Sequence, residues 1–92
     1  MEDICFRYGG DEFVILMPAT PSREALAAAN GILSALMATE FRLKNGLKLS
    51  ISASVGVATA PADGATLHSV IGAADSRMYA VKDSGRGQVR GA

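Results

Sequence analysis

The sequence predicts helices packed against a sheet, a sandwich of the α+β or α/β class, and three patterns carry that prediction. Two β-type runs flank Gly9-Gly10: Ile4, Phe6 and Tyr8 alternate with Cys5 and Arg7 before it, and Phe13 to Met17 follow it. Two stretches, 26–37 and 67–81, repeat apolar residues at helical spacing. From Leu47 to Val57 the apolar period drops to two. The expected order is strand, strand, helix, strand, helix, with a short strand to finish.

Gly9-Gly10 reads as a two-residue hairpin turn, because glycine accepts the positive φ such turns require. Thr20 is placed to cap the first helix, with Pro21 in its first position, where a missing N–H costs nothing. Leu26, Ala29, Ile32, Leu33, Leu36 and Met37 form its core stripe. Phe41 to Leu43 make a short edge segment before the Asn45-Gly46 turn. In the strand at 47–58, Leu47, Leu49, Ile51, Ala53, Val55 and Val57 share one face. The other face carries Lys48 and then only Ser50, Ser52, Ser54 and Gly56, so something can pack closely on it, and Gly56 marks a bulge or a close backbone approach. Pro61 to Gly64 form a loop, and Thr66 caps a second helix with Leu67, Val70, Ile71, Ala74, Met78 and Val81 inward. His68 falls off that stripe and reads as a surface residue. Gly85 suits the left-handed position that ends the helix, and Val89 lies in the final strand.

At 92 residues the chain makes one small domain with a modest core. Nine basic and nine acidic side chains give no net charge, which argues against general attraction to nucleic acid or anionic membrane but leaves room for a local cationic pocket. Cys5 stands alone, so no internal disulfide is available, and its strand position predicts a small buried hydrophobe in a reducing compartment. No apolar run is long enough to span a bilayer and no secretory signal is present, so a cytoplasmic site is expected. The first strand begins almost at once after Met1. Either the fold starts with its hairpin, or part of the domain lies elsewhere.

Two clusters could carry chemistry. Asp11 and Glu12 stand where the chain leaves the turn and enters an apolar strand, and carboxylates there are costly to desolvate unless a cation meets them. They are either a solvated acidic turn or a site facing divalent metal or phosphate. Lys82 and Arg86 bracket Gly85 at the end of the second helix. They complement the helix dipole or bind phosphate, and spacing alone leaves both open.

The segment Arg7-Tyr8-Gly9-Gly10-Asp11-Glu12-Phe13 resembles the signature hairpin of the GGDEF family, the bacterial diguanylate cyclases. Ser54-Val55-Gly56-Val57-Ala58 resembles a later strand of that family, Ala74 to Lys82 its last long helix, and Ser84-Gly85-Arg86 the segment that closes it. The resemblance covers essentially the whole chain. It implies a palm-like α+β fold, similar to adenylate cyclases and ferredoxin-like sandwiches, and a homodimer that joins two GTP molecules into cyclic diguanylate. On that resemblance Asp11 is the metal-binding carboxylate tied to activation of the 3′-hydroxyl, and Glu12 assists with the metal, Mg²⁺ or Mn²⁺. Gly9 and Gly10 let the backbone approach the triphosphate, and Lys82 and Arg86 hold its terminal phosphates.

The chain departs from the family pattern in places. Gly87 stands where the family usually has Asn. Asp3 matches the last residue of the inhibitory Arg-x-x-Asp product site, but its Arg would precede Met1, and Gly31 replaces a second inhibitory arginine. The family's central strand and two helices, with another metal-binding Asp and the guanine-reading Asn and Asp, would also precede Met1. The chain therefore reads as the C-terminal portion of a cyclase domain, inactive alone, whose parent bears an upstream sensor domain. The alternatives are a non-catalytic remnant serving dimerisation or nucleotide sensing, and a small protein that swaps elements with a second copy.

Overall fold

The structure is a computed structural model that describes residues 3–9, 12–50 and 52–91. Strands β1 (Ile4–Arg7) and β2 (Phe13–Leu16) form an antiparallel hairpin that sets Phe6 opposite Val14 and Arg7 opposite Phe13. The Tyr8 N–H donates to the Glu12 carbonyl at 2.8 Å and the Gly9 N–H to the same oxygen at 3.3 Å. Tyr8 and Glu12 thus close the hairpin, so the connection is longer than the predicted two-residue Gly-Gly turn. Burial explains the register: it places half-buried Phe6 and Val14 on one face, whereas a two-residue turn would set Phe6 against exposed Phe13. Cys5 lies in β1 as expected but is exposed, because it shares the uncovered face with Ile15.

Helix α1 runs Ser22–Ala38, one residue later than predicted. Pro21 is its N-cap, with ψ 159°, and its carbonyl accepts from the Ala25 N–H at 2.9 Å. Thr20 does not cap; its hydroxyl donates to the Pro18 carbonyl at 3.1 Å. Ala29 and Leu33 are buried, Leu26 and Leu36 half-buried, while Ile32 and Met37 at the stripe's edges remain exposed.

The predicted long strand at 47–58 is divided. Strand β3 (Glu40–Arg42) pairs antiparallel with β4 (Lys48–Ser50) around Asn45-Gly46, where Gly46 takes φ 84° and the Asn45 side chain accepts from the Leu47 N–H at 3.1 Å. Strand β5 (Val55–Gly56) instead pairs parallel with β6 (Val89–Arg90). The two halves serve different partners, which an alternating pattern does not encode; Ile51 between them lies outside the described residues. The observed order is β1-β2-α1-β3-β4-β5-α2-β6, an incomplete α+β palm-like fold with two helices.

Helix α2 (Leu67–Asp83) starts at a reciprocal cap. The Ser69 N–H donates to Thr66 Oγ1 and the Thr66 N–H to Ser69 Oγ, each at 3.1 Å. The helix lies on β5 at Gly56, where a Cβ would overlap the Ala74 carbonyl oxygen and stand 2.6 Å from the Met78 nitrogen. Gly56 is thus a close backbone approach and Val81, 1% exposed, the deepest side chain. Strand β6 contacts both helices, and a Cβ at Gly91 would stand 2.8 Å from a Leu26 methyl. Arg77 ties α2 to the loop after β5. Its guanidinium donates to both Asp63 carboxylate oxygens, at 2.7 and 3.0 Å, and to the Val57 carbonyl at 2.7 Å. That bidentate pair, helped by the Thr59 N–H, holds the Asp63 carboxyl down at about 2.

The strands make three separate two-stranded sheets among the described residues. β2 and β5 each bond a neighbour on one edge, and both line a groove of about 950 Å³ with Ala29, Ile32, Val70 and Ile71. The chain exposes 6544 Å²; a compact protein of this mass exposes about 5,000 Å².

Candidate functional site

The site is built where the β1–β2 hairpin meets the last turns of α2. The Arg7 Nε–H donates to the Gly9 carbonyl at 3.2 Å, bracing the hairpin from within. Glu12 closes the hairpin through its carbonyl and turns its half-buried side chain toward α2, where Oε1 accepts from the Tyr79 hydroxyl at 3.2 Å. Gly9 does not take a positive φ, contrary to the turn-based expectation. Among the described residues a Cβ there would meet only the Glu12 side chain, at 3.8 and 3.9 Å, which is ordinary contact. Neither the φ of Gly9 nor its contacts with the described residues demand glycine at position 9. Gly10 and Asp11 lie outside the described residues.

On α2, Tyr79 and Lys82 are three residues apart and share a face. Lys82 Nζ sits 5.0 Å from the centre of the Tyr79 ring, within cation–π range. Lys82 and Arg86 line a pocket of about 280 Å³ together with Ser52, Ser54 and Met78. The small residues of the 47–58 stretch therefore leave space beside two cations.

Arg86 owes its position to the backbone. The α2 helix ends at Ser84, and Gly85 follows with φ 123°; the Arg86 N–H then donates back to the Val81 carbonyl at 2.9 Å, as in a Schellman ending. Arg86 itself has φ 67°, a left-handed conformation that costs a non-glycine residue about 1–2 kcal/mol. Gly87 shares φ 67°, and glycine and asparagine are the residues that adopt this readily, so Gly87 in place of Asn preserves the turn.

The donor chemistry at the hairpin is hard oxygen, which suits Mg²⁺ or Mn²⁺ in kind. Among the described residues no group of three His, Cys, Asp or Glu side chains comes together to hold a metal ion, and Glu12 is the described carboxylate at this place. Asp3 is exposed just before β1. His68 is exposed on α2.

Tyr79 and the Asp63–Arg77 pair stand outside the two clusters expected from the sequence. The i,i+3 spacing of Tyr79 and Lys82 on a helix was a usable signal for the first. Nothing local announces a pairing of residues 63 and 77. No helix among the described residues is long and apolar enough to cross a membrane.

Comparison with known proteins bears on this site. The family described as "Diguanylate cyclase, GGDEF domain" matches residues 1–88. The response regulator PleD of Caulobacter vibrioides is 36% identical over 90 residues, covering 97% of this chain and 20% of PleD. Diguanylate cyclase DosC of Escherichia coli is 34% identical over 87 residues, covering 95% of this chain and 19% of DosC. The crystal structure of the GGDEF domain of TpbB (YfiN) from Pseudomonas aeruginosa superimposes with a TM-score of 0.85 at 34% identity, over 98% of this chain and 56% of that one. The chain spans about a fifth of the length of PleD and DosC. With a match across nearly its whole length and a fold shared with a solved member, the chain belongs to the GGDEF family of diguanylate cyclase domains.

Proposed function

We propose that this chain is part of a diguanylate cyclase that condenses two GTP molecules into cyclic diguanylate. The 3′-hydroxyl of each GTP attacks the α-phosphate of the other, and two pyrophosphates leave. One observation carries the reading: Tyr79 brings the acidic hairpin and the cationic end of α2 together, by 3.2 Å to Glu12 and 5.0 Å to Lys82. A triphosphate calls for that arrangement, hard oxygen ligands on one side and fixed cations on the other.

Lys82 and Arg86 would bind the terminal phosphates and offset their charge. Gly9 and Gly10 would let the hairpin backbone lie against the nucleotide. Asp11 and Glu12 would hold Mg²⁺ or Mn²⁺, which supplies charge neutralisation at the phosphate oxygens when bound. Catalysis then rests on positioning two nucleotides in line, each presented by one copy of a homodimer under the control of an upstream sensor domain. Asp3 would be the last residue of an inhibitory product-binding site.

The 92 residues alone are proposed to be inactive, which the 950 Å³ groove beside β2 and β5 supports. Cyclic diguanylate formed from GTP and Mg²⁺ is measured for the longer protein that carries this segment, for its Asp11→Ala variant and for the isolated chain. Product from the first alone is expected. Equal product from the first two would refute the assignment of Asp11, and efficient synthesis by the isolated chain would refute its predicted inactivity.

A further inference from the structure

We propose that Tyr79 is a positioning residue that couples the two halves of the site, holding the Glu12 carboxylate through its hydroxyl and seating Lys82 on its ring. The inference rests on the nucleotide-binding role proposed for Glu12 and Lys82.

Glu12 belongs to a hairpin whose strands pair only with each other among the described residues, whereas α2 is anchored on β5 through Gly56. Their relative placement needs a contact, and the Tyr79 hydroxyl makes one across 67 residues, at 3.2 Å to Glu12 Oε1. A carboxylate offers about four acceptor directions. One donor on Oε1 fixes the orientation of the group and leaves Oε2 for a cation. Tyr79 is 48% exposed and Glu12 half-buried, so this contact adds nothing to the core. On the same ring Lys82 Nζ stands 5.0 Å from the centroid, which holds the ammonium back along α2, while the lysine also lines the pocket it shares with Ser52 and Ser54. A phenol suits both tasks: it is neutral, so it neither competes with the metal nor repels the lysine, and it presents a donor at one end and a π-face at the side. A phenylalanine keeps the face and loses the donor; a leucine loses both.

Two measurements on the longer protein that carries this segment test this. With ¹³C-labelled tyrosine, the Tyr79 Cζ resonance is expected to move in the Glu12→Gln variant without any ligand. With Mn²⁺ and GTP, Tyr79→Phe is expected to weaken Mn²⁺ affinity about 10-fold, as loss of an outer partner of a metal ligand does, while leaving GTP affinity at saturating metal unchanged. Tyr79→Leu weakens GTP affinity as well. Tyr79→Phe added to Glu12→Gln costs nothing further if Tyr79 acts through Glu12. Additive losses, or a Tyr79→Phe variant that binds Mn²⁺ like the parent, would overturn the proposal. An unmutated longer protein that binds no Mn²⁺ and GTP would sink the nucleotide reading instead. In that case an unmoved Cζ resonance overturns the hold on Glu12, and a moved one upholds it.

Discussion

Replacing Gly56 by alanine probes the contact that positions everything on α2. The added methyl would overlap the Ala74 carbonyl oxygen and lie 2.6 Å from the Met78 nitrogen and 2.9 Å from the Ala74 carbonyl carbon. Unstrained carbon contacts fall at about 3.5–4 Å, so α2 has to withdraw from β5 by about 1.5 Å to clear the carbonyl oxygen. The clashing atoms are backbone, and no change of rotamer relieves them. Overpacking of that kind costs about 3 kcal/mol. For a domain of this size that lowers Tm by about 12–24 °C. Gly72→Ala is the control on the same helix. Nothing lies within 4 Å of its Cβ, so it gains about 0.5–1 kcal/mol by removing a helix-interior glycine. Thermal unfolding of both variants, followed by circular dichroism at 222 nm, measures the contrast. If Gly56→Ala melts within 2 °C of the parent, the close approach of β5 and α2 is wrong. So too is the anchoring of α2 on β5 through Gly56.

Other outcomes follow from the same geometry. Gly9→Ala is expected to leave the unfolding free energy within about 0.5 kcal/mol of the parent, because among the described residues its Cβ meets only the Glu12 side chain, yet to cut cyclase turnover in the longer protein at least 10-fold; unchanged turnover would show that the backbone there does not approach substrate. Arg86→Gly relieves the left-handed cost and should raise stability by about 1 kcal/mol while weakening GTP binding in a titration; a variant that loses stability would contradict φ 67° at that residue. Asp63 has a folded pKa of about 2 against 3.8 unperturbed, so its pairing stabilises the chain fully above pH 4 and is lost as pH falls toward 2. Urea unfolding of Arg77→Met across that range should show a flatter pH response than the parent, and an equal slope would mean the pair does not form.

The legible parts of this molecule are those whose signal is local. Thr66 announced its cap because the motif is complete within four residues, and Gly85 its helix end because one residue needs a positive φ. Gly56 was legible as a glycine where a strand pattern wants a side chain. What failed was what depends on a distant partner. Leu47 to Ala58 alternate throughout, but β4 is claimed by β3 and β5 by β6, and the pattern carries no trace of that change. Cys5 alternates correctly in β1 and is exposed because nothing covers its face. Thr20 has the chemistry of a cap, but its hydroxyl found the Pro18 carbonyl first. In the site, Glu12, Lys82 and Arg86 were chosen by family pattern, whereas Tyr79 passed as part of a helix segment. Its proposed role depends on one partner at its hydroxyl and another over its ring, the first of them 67 residues away.

The left-handed turn at Arg86 also governs which sequences can occupy this corner. A guanidinium on an ordinary helix end samples a wide cone, and an anion must collect it from many rotamers. Here the search is narrowed before any anion arrives, because consecutive positive φ values at Gly85, Arg86 and Gly87 aim the Cα–Cβ bond. The aim is therefore encoded in the neighbours as much as in the arginine. A valine or isoleucine at 85 or 87 would leave Arg86 in place in the sequence and point it elsewhere in space. The phosphate-binding role proposed for Arg86 therefore requires two flanking residues that tolerate a left-handed backbone.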